Sequence, residues 1–259
     1  MRLRTILNEF SGSGPLGSGM INKLRSKLEY KSDYRLQLRQ LSIKRSRPMK
    51  TLSAALVSMI LFAPGGPVSP GTVGAQEKSS DGWTSMFDGK TFAGWKANQN
   101  PDQWTIVDGA IKTAPGQSHL FYEDGEFTDF EFEADVKTTP GSNSGIYFHT
   151  KWQATGWPKH GYESQVNQTH ADPVKSGSLY GVVKLYDSPS KDDQWYKHRI
   201  VVKGKSIRIH VNGKLVIDYT EPGGVDEARR LSKGTFALQS HDPKSVVYFR
   251  NLRIRPLAK

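Results

Sequence analysis

From Phe130 to Lys137 the chain alternates apolar and polar side chains without a break. Phe130, Phe132, Ala134 and Val136 fall on one parity and Glu131, Glu133, Asp135 and Lys137 on the other. Successive side chains of an extended strand point to opposite faces, so this segment predicts a strand with one buried and one wet face. Such a strand needs a sheet, and the sheet needs a second layer over its apolar face. The rest of the chain supplies both. Trp104–Val107 and Ala110–Lys112 flank Asp108-Gly109, while Ile207–Val211 and Leu215–Ile217 flank Asn212-Gly213. Both dipeptides suit tight primed hairpin turns. Further strands are expected over Trp195–Lys203, Gly234–Ser240 and Val246–Ile254, and only Asp226–Leu231 hints at a helix. Short strands separated by Gly, Pro, Asn and Asp predict an all-β sandwich or jelly roll.

The two ends of the chain differ in charge. Residues 1–48 carry eleven Lys or Arg against Glu9, Glu29 and Asp33, a net of +8. With Lys50 added, only +2 of the overall +11 remains for residues 76–259. The high pI therefore belongs to the leader, and a nucleic-acid partner is not expected. Lys44, Arg45, Arg47 and Lys50 precede an apolar run from Leu52 to Ala63, then breakers and Val73-Gly74-Ala75 before Gln76. That is the pattern of a secretory signal over 49–75, with 1–48 as an upstream extension and 76–82 as a polar linker. Export to a bacterial periplasm or beyond is expected, and membrane contact only where the signal is retained as an anchor. Cysteine is absent, which excludes disulfides and thiolate metal ligands. The 184 residues after Ala75 are enough for one well-buried domain.

Polar residues cluster where strand packing alone would not ask for them. Asn143-Ser-Gly-Ile-Tyr-Phe-His149 and Gly161-Tyr-Glu-Ser-Gln165 read as strands joined by a Trp, Gly and Pro-rich loop. By alternation Ile146 and Phe148 share one face, and Tyr147, His149 and Lys151 share the other. Tyr162 points away from Glu163 and Gln165. A face carrying Tyr147, His149, Glu163 and Gln165, with Asn143 at its edge, is suited to a polar guest, and sugars are the commonest. Glu163 is the leading candidate for proton transfer, against the plain alternative of a solvent-facing strand carboxylate. His149 is a candidate base, acid or metal ligand. Gln239 and His241 share a face in Ala237-Leu-Gln-Ser-His241, so His149, His241 and Glu163 form a candidate divalent-metal set without the spacing of a known metal motif. Trp152, Trp157 and Tyr180 are candidate platforms for sugar rings, and Lys184 and Arg250 candidate contacts to ligand oxygens, although Arg250 beside Asn251 is expected rather to tie the terminal strand in place. Asp124, Glu126 and Asp129 are a weaker calcium candidate. No phosphate loop or nucleophile elbow occurs.

Taken together, Trp83-Thr-Ser-Met-Phe87-Asp-Gly-Lys90, Gly94-Trp95, Trp104 to Gly109, Asn143-Ser-Gly145, Gly161-Tyr-Glu-Ser-Gln165, Leu238-Gln-Ser-His241 and Phe249-Arg-Asn-Leu-Arg-Ile-Arg255 closely resemble the 3-keto-disaccharide hydrolase domain family, over about residues 82 to 257. The resemblance implies a concanavalin A-like jelly roll of two antiparallel sheets over 83–257. It also implies action on di- or oligosaccharides or glucosides already oxidised at C3. The family often has Arg where His149 stands, and Asp where Asn167 or Gln168 stands. A C3 ketone acidifies the C2 proton, so one base, one oxyanion stabiliser and one acid suffice for elimination, followed by hydration. Glu163 or His149 is then the expected base, with His241 or Lys184 near the oxyanion and Gln165 and Gln239 orienting hydroxyls. A sugar-binding lectin with no catalysis is the alternative the same surface allows.

Overall fold

Asp108 and Gly109 adopt φ of 51° and 72°, and Asn212 and Gly213 adopt 50° and 78°. These left-handed pairs build the two primed turns the sequence asks for. The computed structural model describes residues 80–225 and 228–258. The extension, the signal and most of the linker lie outside these residues, as do Asp226 and Glu227. Ala228 to Leu231 form no helix.

Thirteen strands run through the described residues: β1 Thr84–Ser85, β2 Trp95–Ala97, β3 Trp104–Val107, β4 Ala110–Thr113, β5 Ser118–Tyr122, β6 Phe130–Thr138, β7 Asn143–Thr150, β8 Tyr162–Asn167, β9 Tyr196–Lys203, β10 Ser206–Val211, β11 Lys214–Thr220, β12 Thr235–Ser240 and β13 Val247–Pro256. One sheet has the order β11-β10-β9-β6-β13-β4-β3, with β1 pairing β13, and the other β2-β5-β12-β7-β8. The ladders between these strands are antiparallel, so the expected all-β sandwich is the observed one.

Between the sheets lies a largely apolar core. Phe236 stacks on Phe132 at 4.7 Å between ring centroids and meets Phe130 edge-on at 4.9 Å. Each buried aromatic of this kind contributes roughly 1.5–3 kcal/mol. The outer face of the larger sheet is tied by charge: Glu131 takes Arg199 at 2.6 Å and Arg255 at 2.8 Å, and Glu133 takes Arg253 at 2.6 Å. Arg250 stacks 4.0 Å from the Trp195 ring centroid and pairs with Asp135 at 3.6 Å, which places it far from any ligand role.

The smaller sheet positions the site. One of its faces gives Leu120, Ile146, Phe148, Tyr162, Val166, Phe236 and Leu238 to the core. The opposite face carries Phe121, Tyr147 and Ala237 as a second small cluster, with Glu163, Gln165 and Gln239 on the same parity.

Candidate functional site

Tyr147 and Glu163 are cross-strand partners on β7 and β8. Their side chains, with those of Gln165 and Gln239, line a cavity of about 220 Å³. Loops complete the wall with Trp157 before β8, Asp172 and Tyr180 after it, Arg229 between β11 and β12, and His241 just past β12; Asn143 at the start of β7 closes the rim. The volume is below the range of drug-sized pockets and fits one sugar ring better than a polymer.

Glu163 is 4 % exposed. Gln239 Nε2 donates to its Oε1 at 3.1 Å and to the Tyr147 hydroxyl at 3.0 Å, and the Tyr147 hydroxyl hydrogen-bonds the same carboxyl group. Burial pushes the Glu163 carboxyl up to about 7, against the opposing pull of Tyr147, the Arg229 charge and Gln239. The Tyr147 phenol is raised well above 10 by burial and then by Glu163. A carboxylate that titrates near neutrality in a cavity is suited to proton transfer in either direction.

His241 is oriented by Asp242, with Nδ1 at 2.9 Å from Asp242 Oδ2. Burial raises the Asp242 carboxyl, but Ser245, the Lys244 amide and His241 together hold it below its ordinary value. An ionised acceptor on Nδ1 places the His241 proton there and leaves Nε2 with its lone pair, 3.4 Å from the Asn143 amide nitrogen. Gln165 Nε2 donates to Asn143 Oδ1 at 3.2 Å, which fixes that amide with its nitrogen toward the histidines.

His170, His241 and Asp242 hold one donor atom each within 4.8 Å of one another, a set that could hold a divalent cation. The wiring argues for protons instead. His170 Nδ1 accepts the Asp172 N–H at 3.0 Å, so the neutral ring carries its hydrogen on Nε2, directed at Asp242 Oδ2 3.6 Å away. Binding a metal through Nε2 would need the other tautomer and the loss of that backbone contact.

Several expected site residues are elsewhere. His149 is not on the cavity face. Phe148 pairs with Phe236 and Thr150 with Thr235, so His149 is the extra residue of a bulge, with φ of 54°. The bulge breaks the alternation and turns the ring against Phe130 and Phe148, at 5.5 and 5.9 Å. Its Nε2 bonds Thr128 O at 2.8 Å and its Nδ1 accepts the Ser232 N–H at 3.2 Å. Metal binding by His149, His241 and Glu163 together is therefore excluded. Trp152 lies outside the cavity, edge-on to Phe121 at 5.2 Å with Lys96 4.5 Å from its centroid. Lys184 is exposed on a loop that does not line the cavity. Glu126 faces Lys233 and Asp129 accepts the Gly204 N–H, so the suspected acidic cluster is not assembled. Asn167 opens an Asn167-Gln-Thr169 glycosylation sequon but is fully buried with its amide on Asp172 O and Val174 O, which closes it to modification in the folded chain.

Sequence reasoning missed Arg229, Asp172, His170 and His119. The first three are on loops without periodicity, where no pattern announces them. His119 shares a parity with Phe121 on β5 and could have been found that way. It lies edge-on to Tyr147 and Trp157, at 5.5 and 5.3 Å, and burial with the nearby His241 holds it neutral, down to about 3.

Comparison with known proteins agrees with the sandwich fold. A 3-keto-disaccharide hydrolase of Bacteroides thetaiotaomicron is 29% identical over 172 residues, covering 54% of this chain and 59% of its own length. The chain thus spans under two thirds of that curated relative. A Parabacteroides distasonis crystal structure classed as a glycosyl hydrolase superposes with a TM-score of 0.61 at 22% identity, covering 72% of this chain and 99% of its own. A second from the same organism gives 0.54 at 25% identity, covering 68% and 99%. Residues 82–255 match the 3-keto-alpha-glucoside-1,2-lyase-like domain family, and the chain belongs to it.

Proposed function

We propose that this protein is an exported glycoside-cleaving enzyme acting on 3-keto-glucosides or 3-keto-disaccharides. The carrying observation is Glu163, a buried carboxyl on the cavity floor with its proton affinity raised to about 7. Ionised, it takes the C2 proton of a sugar whose C3 is a ketone, and the C–H electron pair moves toward the C3 oxygen. When that pair returns, C3=O re-forms, a double bond forms between C1 and C2, and the bond from C1 to the departing oxygen breaks. His241 takes a proton from solvent on Nε2, the Asp242 carboxylate stabilises the resulting imidazolium, and that proton passes to the leaving oxygen. Water then adds across C1 and C2, and the sum is hydrolysis. Gln165, Gln239 and Asn143 hold hydroxyls, and Trp157 and Tyr180 flank the ring.

The route needs no pair of carboxylates poised across a glycosidic bond, as direct displacement would. The family and the bacterial relative support a glycosidic bond as the target. The test is to incubate the chain with 3-keto-trehalose or 3-keto-sucrose, beside the unoxidised sugars, and measure released monosaccharide. Release from the keto sugars alone is expected. Binding without release from any sugar would leave a lectin.

A further inference from the structure

We propose that Arg229 is a catalytic residue, whose guanidinium stabilises the negative charge that gathers on the C3 oxygen as the C2 proton leaves. The proposal rests on the reaction assigned above and names a group that the sequence did not reveal. An enolate oxygen needs a partner charged before the reaction begins, because a pre-set charge costs no reorganisation at the moment of proton transfer. Among the described side chains lining the cavity, amides and phenols offer only neutral donors, and His241 is committed to the leaving group. Arg229 is the lining residue that stays positive at every working pH. Its field already reaches Glu163, Tyr147 and Tyr180, so it faces the same space as the base.

The segment bearing Arg229 is built to hold a position. Glu221, itself buried, accepts both the Tyr162 hydroxyl and the Leu231 N–H at 2.6 Å. The Gly161 N–H reaches Ala228 O at 3.1 Å, next to Arg229 in sequence. His149 accepts the Ser232 N–H on the other side. Tyr162 and Gly161 immediately precede Glu163, so the base and the arginine are referenced to one stretch of backbone. A connection that merely crossed from β11 to β12 would need none of these ties. His149 is thereby a positioning residue for Arg229.

Electron flow assigns Arg229 a definite task. The C2–H bond pair becomes the C2–C3 double bond, and the C3=O π pair moves onto oxygen, where the guanidinium meets it. Collapse returns that pair to C3=O, forms C1=C2 and releases the C1 substituent with the proton from His241.

The experiment uses the whole chain, as wild type, Arg229→Gln and Arg229→Lys, with 3-keto-trehalose in D₂O. It follows kcat, KM and deuterium incorporation at C2 of unreacted sugar. Arg229→Gln should lose ~10²–10³ in kcat and in C2 exchange with KM changed less than about threefold, the usual effect of removing one oxyanion donor. Arg229→Lys, which keeps the charge but not the fork, should retain more rate than the glutamine variant. Removing the positive charge should also move the acid limb of the pH profile upward. Unchanged kcat, a loss confined to KM, or equal rates for the two variants would overturn the assignment while leaving the reaction intact. A wild type that turns over no keto sugar would instead overturn the reaction, and the assignment with it.

Discussion

A Cβ placed on Gly145 would lie 2.9 Å from the carboxyl carbon of Glu163 and would overlap its Oε1. Gly145 is paired with Gln165 in the ladder, so the Glu163 side chain leans diagonally across β7 and rests on bare backbone. The glycine is there to make room for the carboxylate.

Gly145→Ala therefore tests the site without touching any functional group. The extra methyl must displace a carboxyl held between Tyr147 and Gln239. Misplacement by about 1 Å predicts a ~10²-fold fall in kcat, and overpacking predicts about 1–3 kcal/mol of lost stability. Steady-state kinetics with denaturant titration would separate the two. Full activity with only lost stability would show that Glu163 is not the reacting group.

This relationship also marks how far the sequence could be read. Alternation in Phe130 to Val136 and the two turn dipeptides were sufficient for the sandwich, because burial of one face and left-handed turn residues are local requirements. Glu163, Gln165, Gln239 and His241 were legible for the same reason: strands and their immediate ends fix side-chain parity. His149 was misread since one bulged residue inverts that parity, and the room for the bulge comes from Gly161 and Gly234, whose missing Cβ atoms let their backbone approach that of His149, each distant in sequence or placed by a loop. Arg229 and Asp172 were invisible, as nothing local says where a loop residue points.

Glu163 makes a prediction about pH and stability whose sign is unusual for a carboxylate. Its folded pKa is raised from 4.5 to about 7. Below 4.5 the group is protonated in both states and contributes no penalty. Between 4.5 and about 7 the unfolded chain ionises while the folded one keeps its proton, so stability falls as pH rises. Above 7 the penalty is constant, at about 3 kcal/mol in order of magnitude. Glu163→Gln should therefore be more stable than wild type at pH 8 and equal to it near pH 4. It should lose nearly all activity, while wild-type kcat/KM rises through a limb near 7. Thermal melts at the two pH values check the first part; a variant no more stable at pH 8 would mean that the carboxyl is not buried as described.

Asp242→Asn separates proton transfer from metal binding at His241. The amide removes the negative charge that stabilises the protonated His241 ring, so the imidazolium that must give its proton to the leaving oxygen is no longer favoured. A loss of ~10²-fold or more in kcat is expected, the usual contribution of a positioned general acid. A chelator should leave wild-type rate unchanged, since His170 spends its Nδ1 lone pair on Asp172 N–H. Loss of activity on chelation, restored by a divalent ion, would reverse this assignment and place the ion among His170, His241 and Asp242.

His149 predicts a structural effect with a catalytic echo. Alanine there would leave Thr128 O and the Ser232 N–H without their partner and open a cavity beside Phe130 and Phe148. About 2–5 kcal/mol of lost stability is expected. Glutamine, which offers an acceptor and a donor, should recover part of it. Burial lowers the folded pKa of His149 below the usual 6.5. The unfolded chain therefore takes up the proton first as pH falls through 6.5, and the contribution of the neutral ring is lost between that value and the folded pKa. His119 and His198 are also lowered by burial and push in the same direction, so wild type alone cannot isolate the effect. The difference in unfolding free energy between wild type and His149→Gln, followed from pH 8 to pH 5, does. It should narrow as pH falls if the imidazole holds the Arg229 segment as a neutral acceptor. A difference independent of pH would mean that the ring contributes packing alone, and that the Ser232 N–H has no need of its lone pair.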